Sequence, residues 1–161
     1  MHKTIAELEL KLKKEVERST SLKLYIRREN LRFNNITESQ DEDCKALVYD
    51  IIVSQIRFHA VHRVGRKNED RCRPIIARFV CREDRDRVWS EKGKIKRSTL
   101  HPDAYITEDY AKVIQDERRK LIKAMIKARE EHGLRNAKVK GRYLFINNER
   151  YDHDSIPEYL K

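Results

Sequence analysis

Arginine carries most of the chemistry this chain offers. In RPIIARF (73–79), Arg73 and Arg78 bracket an apolar run, and in LRFNNI (31–36) Arg32 interrupts an alternation of Leu31, Phe33 and Ile36. A guanidinium is a planar fork of donors that grips phosphate bidentately and stacks on flat rings. Basic residues recur in clusters. Arg63, Arg66 and Lys67 precede the RPIIARF run, and Arg71 and Arg73 open it. Lys92, Lys94, Lys96 and Arg97 form a second group, and Arg118, Arg119 and Lys120 a third. Arg135, Lys138, Lys140 and Arg142 lead into Tyr143. Each cluster alone reads as a solvated face. Together, in a chain of formal net charge +10, they favour an acidic partner, nucleic acid ahead of anionic membrane.

Other chemistries find less support. His59 and His62 have metal-ligand spacing near Cys72 and Cys81. The two cysteines, however, flank an expected strand, which holds them roughly 30 Å apart at ~3.3 Å per residue. That separation is too wide for one zinc or one disulfide, so no metal site is expected. There is no phosphate-cradling glycine loop, no GxSxG and no HExxH. The acidic stretch 38–43 reads as a solvated loop and helix start. The expectation is a non-enzyme without a cofactor. No apolar run is long enough to span a membrane, and the first residues lack the apolar centre of an export signal. Three irregularly spaced cysteines then read as reduced thiols in the cytosol or nucleus.

The elements that position these residues follow from periodicity. Hydrophobic content of 39% against 40% charged allows a modest core and a large solvated surface. Segment 3–26 has neither glycine nor proline. Ile5, Leu8, Leu12, Leu22 and Ile26 hold a heptad frame that Glu15 and Ser19 break, with Val16 one residue off. This is a helix, read either as the end of an oligomerising coiled coil or as one packed on its own domain. LRFNNI reads as a strand. Residues 43–56 read as a helix with a stripe of Ala46, Leu47, Val48, Ile51, Ile52 and Ile56, capped by Asp41 or Asp43. Residues 58–66 give a strand and a turn at Gly65, 66–73 a charged loop, and 74–81 a strand. A helix over 82–93 is ended by Gly93, then come a loop (94–103) and a strand (104–109). This β-α-β-β-α-β order is the split-βαβ, ferredoxin-like order. A long helix over 109–133 carries a stripe of Val113, Ile114, Leu121, Ile122, Met125 and Ile126 and stops at Gly133. Residues 137–152 read as strands around a turn at Asn147–Asn148, and 154–161 as a short helix. The fold class is α+β in three parts: a helix (1–27), a ferredoxin-like RNA-recognition-type domain (28–108) and a small C-terminal α+β domain (109–161).

Many RNA-binding domains of this order stack bases on aromatic residues of two central strands. Here the outward position on the first strand holds Arg32. On the third strand Ile76 and Pro74 occupy the stacking positions beside Arg78, while Ile75, Ala77 and Phe79 face inward. Without an aromatic platform, phosphate contacts dominate and sequence preference is weak. Tyr143 is the remaining stacking candidate. The competing reading is a protein-interaction module: a ferredoxin-like domain with an assembling helix.

RRENLRF (27–33), HRVGR (62–66) and RPIIARF (73–79), in this order, resemble the first-open-reading-frame protein of LINE-type retrotransposons. The resemblance continues through YAKVIQDERRKLIKAMIKAREEHG and KGRYLFINNERYD and covers roughly residues 22–161. It implies a trimerising coiled coil, a non-canonical RNA-recognition domain and a C-terminal domain. It implies binding of single-stranded RNA, and of single-stranded DNA, with little sequence selectivity. It also implies nucleic-acid chaperone activity and coating of the element's RNA in a cytoplasmic ribonucleoprotein particle, with nuclear residence as a further expectation. By motif position it implies RNA contacts at Arg28 and Asn30 at the coil junction and at Arg63, Arg71, Arg73 and Arg78 around the second and third strands. Arg118 and Arg119 on the long helix and Tyr143 in the last sheet follow in the same way. Arg32, Arg66, Lys67, Lys94, Lys96, Arg97, Lys138, Lys140 and Arg142 complete the candidate set. The helix is short for the family's coil, and its heptads are broken.

Overall fold

The computed structural model describes residues 2–52, 55–97 and 100–161, without the side chains of residues 2, 3 and 95–97. The chain divides into two compact units: 21–109, and 110–161 grouped with residues 1–20. Helix α1 (His2–Arg27) leaves Ile5, Leu8, Leu12, Val16, Leu22 and Ile26 half or more exposed.

In the unit 21–109 the order is β1 (Asn30–Asn34), α2 (Cys44–Ile51), β2 (Phe58–Arg63), β3 (Ile75–Phe79), α3 (Arg82–Glu91) and β4 (Tyr105–Glu108). The strands form one antiparallel sheet in the order β2-β3-β1-β4, as the split-βαβ pattern requires. Strand alternation sends Leu31, Phe33, Ile75, Ala77, Phe79 and Ile106 to one face. There Val48 and Ile51 of α2 and Val88 of α3 close the core over them. Phe58 meets Phe79 edge-on at 4.9 Å between ring centroids, and Tyr49 lies 5.6 Å from Phe58. Each such ring contributes about 1.5–3 kcal/mol on full burial, so the aromatics of this unit are largely committed to its interior.

Two details differ from expectation, and a choice between two caps is resolved. Helix α2 ends at Ile51, and Ile52 is extended (φ −101, ψ 108), although Ile52 and Ile56 still reach the core. Consecutive β-branched residues lose side-chain freedom in a helix, and here the chain extends once the stripe is buried. Asp43 caps α2, accepting from Lys45 N–H at 2.9 Å and Ala46 N–H at 3.2 Å. Asp41 instead holds a left-handed turn (φ 59). Gly93 does not end α3. The helix gives way at Lys92 to a 3-10 turn that runs through Gly93 to Arg97, and Gly93 lacks the positive φ of a helix stop.

In the second unit, α4 (Lys112–Glu130) covers a sheet of β5 (Lys138–Lys140), β6 (Tyr143–Ile146) and β7 (Glu149–Tyr151) in the order β5-β6-β7. Leu121, Ala124 and Ala128 pack on Ala137, Leu144, Ile146, Ile156 and Leu160. Of the expected stripe, Ile114 and Leu121 are buried and Met125 is partly so, whereas Val113, Ile122 and Ile126 are exposed. The helical period carries the inner line from Leu121 through the small Ala124 and Ala128, and alanines there let the sheet approach. Gly133, at φ 63, lets the Leu134 N–H reach back to the Ala128 carbonyl at 2.9 Å. Asn147 and Asn148 are both left-handed (φ 48 and 70) between β6 and β7, the geometry of a two-residue hairpin turn. The final turn, Glu158–Leu160, is 3-10.

Candidate nucleic-acid interface

Carboxylates decide which of the candidate cations are free. Arg63 is fully spent. Its Nε donates to Glu42 Oε1 at 2.6 Å, and its Nη2 to Glu42 Oε2 at 2.8 Å and to the Thr37 carbonyl at 2.9 Å. Its Nη1 donates to the carbonyls of Ile36 at 2.8 Å and Arg73 at 2.6 Å. A guanidinium has five N–H donors, and every one of them is used. The side chain is 4% exposed. The Arg63 hydrogen bonds hold the Glu42 carboxyl down from 4.5 to about 2, against the opposing effect of its burial. Arg63 therefore pins the loop after β1 to the end of β2 and has nothing left for a phosphate. Its place in the candidate set is corrected to a structural one.

Arg73 is half-committed. It donates to Glu38 Oε2 through Nη2 at 2.9 Å and Nε at 3.1 Å, and its backbone N–H reaches Glu38 Oε1 at 2.5 Å. These bonds hold the Glu38 carboxyl below the usual carboxylate range. On the loop between β2 and β3, Arg66, Lys67 and Arg71 are exposed, and no side-chain partner engages them among the described residues. Lys94 makes a surface pair with Glu91 at 3.3 Å. The side chains of Lys96 and Arg97 lie outside the described residues.

The sheet face opposite α2 and α3 is built from cross-strand rows. Ala60, Arg78 and Asn30 form one, and His62, Ile76, Arg32 and Thr107 the next. Asn34 and Tyr105 pair beyond them. Arg78 is exposed and has no ion-pair partner among the described residues. Ile76 is buried yet lies outside the core cluster. Arg32 Nε and Asn30 Oδ1 are buried without a hydrogen-bond partner among the described residues. The Asn30 amide donates to Asp109 at 2.9 Å, and Arg27 reaches the same buried carboxylate at 3.1 Å. Asp109 thus ties the end of α1 to the start of β1. Arg28 pairs with Glu29 at 2.8 Å and lies 3.7 Å over the Tyr25 ring. The central strands carry no aromatic on this face, but the edge strand carries Tyr105, 48% exposed. Period-two reading of AYITED, which sets Tyr105 and Thr107 opposite Ile106, was the signal for it.

In the second unit Arg118 donates to the Gly141 carbonyl and lies 4.7 Å over the Tyr110 ring. Arg142 forks onto Glu117 with both contacts at 2.9 Å. Arg119 pairs with Asp116 at 3.0 Å, an exposed contact worth little, so the group stays available. Lys138 and Lys140 are exposed and have no partner among the described residues. Tyr143 is 39% exposed, with the Arg150 guanidinium 4.6 Å over its ring. Arg150 belongs to none of the basic clusters seen in the sequence.

Among the described residues no three His, Cys, Asp or Glu side chains gather as a metal site, and no helix is long and apolar enough to cross a membrane. Neither the protein-family models nor the curated proteins contain a match to this chain.

Proposed function

We propose that the protein binds single-stranded RNA without catalysing a reaction, holding it mainly by its phosphates. The observation that carries this reading is the set of exposed cations with no carboxylate partner among the described residues, Arg66, Lys67, Arg71, Arg78, Lys138 and Lys140, in a chain of net charge +10. The unsatisfied Arg32 Nε and Asn30 Oδ1 beside Arg78 add polar atoms that a ligand would satisfy. Phosphate contacts position a strand and carry no sequence information, so selectivity is weak and single-stranded DNA binds as well. The resemblance to retrotransposon first-open-reading-frame proteins extends the reading to coating of an element's RNA, chaperone activity and a cytoplasmic particle. The uncovered apolar side chains of α1 favour self-association, and the same resemblance makes that assembly a homotrimer.

A salt titration of oligouridylate binding tests this, with the mass of the complex measured in the same samples. About six neutralised phosphates give a slope of log K against log salt of about −4 for a single strand. An affinity independent of salt refutes the reading. Absence of binding near physiological salt, with assembly intact, favours a protein-interaction module instead.

A further inference from the structure

We propose that the three-stranded sheet of the second unit is a base-stacking platform that takes consecutive unpaired bases on Tyr143 and Phe145. This deepens the nucleic-acid reading and rests on it.

The registers define the two faces of that sheet. Val139, Leu144 and Tyr151 stand opposite one another, as do Ile146 and Glu149. Leu144 and Ile146, with Val139 and Tyr151 alongside, pack into the core with α4. Alternation then puts the neighbouring rows on the other face: Lys138, Phe145 and Arg150 in one, Lys140 and Tyr143 in the next. Phe145 is not part of the core cluster. Two aromatics two residues apart on the central strand lie roughly 7 Å apart, room for one base each. Such a pair on a central strand is what stacks bases in sheet-type RNA-binding domains, and it is what β1 and β3 lack.

The surrounding charge suits a single strand and little else. The residues paired in these two rows include no carboxylate; Asp152, the next position along the register opposite Tyr143, turns its Oδ1 to the backbone N–H groups of Asp154 and Ser155. Lys138 and Lys140 flank the aromatics from β5, exposed and without partners among the described residues, and Arg150 flanks them from β7. The Arg150 guanidinium already lies over Tyr143, so its free plane extends the stack, as arginine does on bases. A stacking surface is tolerant of sequence because every base has a π-face. Tyr143 was the aromatic the sequence offered; its companions Phe145 and Arg150 come from the register.

The test compares the full chain with Tyr143→Ala/Phe145→Ala on oligouridylate and on an abasic oligonucleotide of equal length. The unaltered chain is expected to prefer the base-containing strand by about 30-fold or more, the lower end for two stacked bases. The double variant is expected to lose that preference while keeping its affinity for the abasic strand. Equal binding of the two strands by the unaltered chain leaves the phosphate reading standing and overturns the platform, as does an unchanged preference in the variant. Binding of neither strand overturns the nucleic-acid reading and the platform with it. A Phe145→Trp chain supplies a readout that needs no truncation, with the unaltered chain and its single tryptophan, Trp89, as the blank. Quenching by oligouridylate and not by the abasic strand is expected; emission unmoved by both overturns the proposal.

Discussion

Arg63→Ala separates scaffold from binding surface. The substitution removes five donated hydrogen bonds and leaves the Glu42 carboxylate, 11% exposed, with no cation to face it. Removing one member of a buried pair costs about 3–5 kcal/mol. The lowered carboxyl points to a cost of similar size. A carboxyl held down from 4.5 to about 2 represents about 3 kcal/mol of folded-state preference for the ionised form. Because the folded value is the lower one, that stability is fully present above about pH 4.5 and disappears as pH falls through about 2. The variant is therefore expected to unfold at much lower urea, and its stability is expected to lose the acid-side slope between those limits. Trp89 packs against the core of this unit, so its emission follows the transition. At roughly 4–8 °C per kcal/mol for a unit of this size, the midpoint falls by at least about 12 °C. A variant that keeps its urea midpoint within about 0.5 kcal/mol yet binds RNA poorly would refute the structural assignment and return Arg63 to the interface.

Three further perturbations test other parts of the reading. Glu38→Gln removes the charge that holds Arg73, so RNA affinity is expected to rise and the salt slope to steepen by about 0.7; an unchanged slope takes Arg73 off the path of the strand. Gly133→Ala places a Cβ in open space but at φ 63, so its cost is backbone strain alone, about 1–2 kcal/mol, read as a lower thermal midpoint of the second unit. Leu8→Glu with Leu12→Glu, both on the uncovered side chains of α1, is expected to reduce the sedimenting mass without moving the Trp89 transition; unchanged mass removes α1 from assembly.

The fold was legible where side-chain period and burial coincide. In RPIIARF the alternation alone assigns Ile75, Ala77 and Phe79 inward, because a one-residue slip would turn all three to the other face. Asp43 and the Asn147–Asn148 turn were legible because their chemistry is local. The α4 stripe was misread because large side chains drew attention to Ile122 and Ile126, whereas the packed line runs through Ala124 and Ala128. Size is a poor guide where a sheet must come close. The candidate site was legible in charge and not in pairing. Nothing in the spacing of Glu42 and Arg63, or of Glu117 and Arg142, shows that they meet across the fold.

That pairing bears on what an arginine-rich surface can do. An arginine that closes a carboxylate and several carbonyls inside the protein fixes a loop, and the same bonds withhold it from any ligand. The chain divides its cations by this rule. Arg63 and Arg142, forked onto Glu42 and Glu117, hold elements in place, and Arg78, Lys138 and Lys140 face solvent without a counter-charge among the described residues. A surface of the second kind attracts a polyanion but cannot by itself tell a nucleic acid from another polyanion, since phosphate contacts and Coulomb attraction ignore the bases. Discrimination needs a flat apolar group beside the charge. In the first unit Phe33, Phe58 and Phe79 are spent on the core, and among the described residues the sheet face keeps one aromatic, Tyr105 at its edge. In the second unit small alanines in α4 do part of the packing, so the central strand presents Tyr143 and Phe145 to the cations instead. Exposed cations thus stand on both sheets, and among the described residues it is the second that sets two aromatics of its central strand beside them.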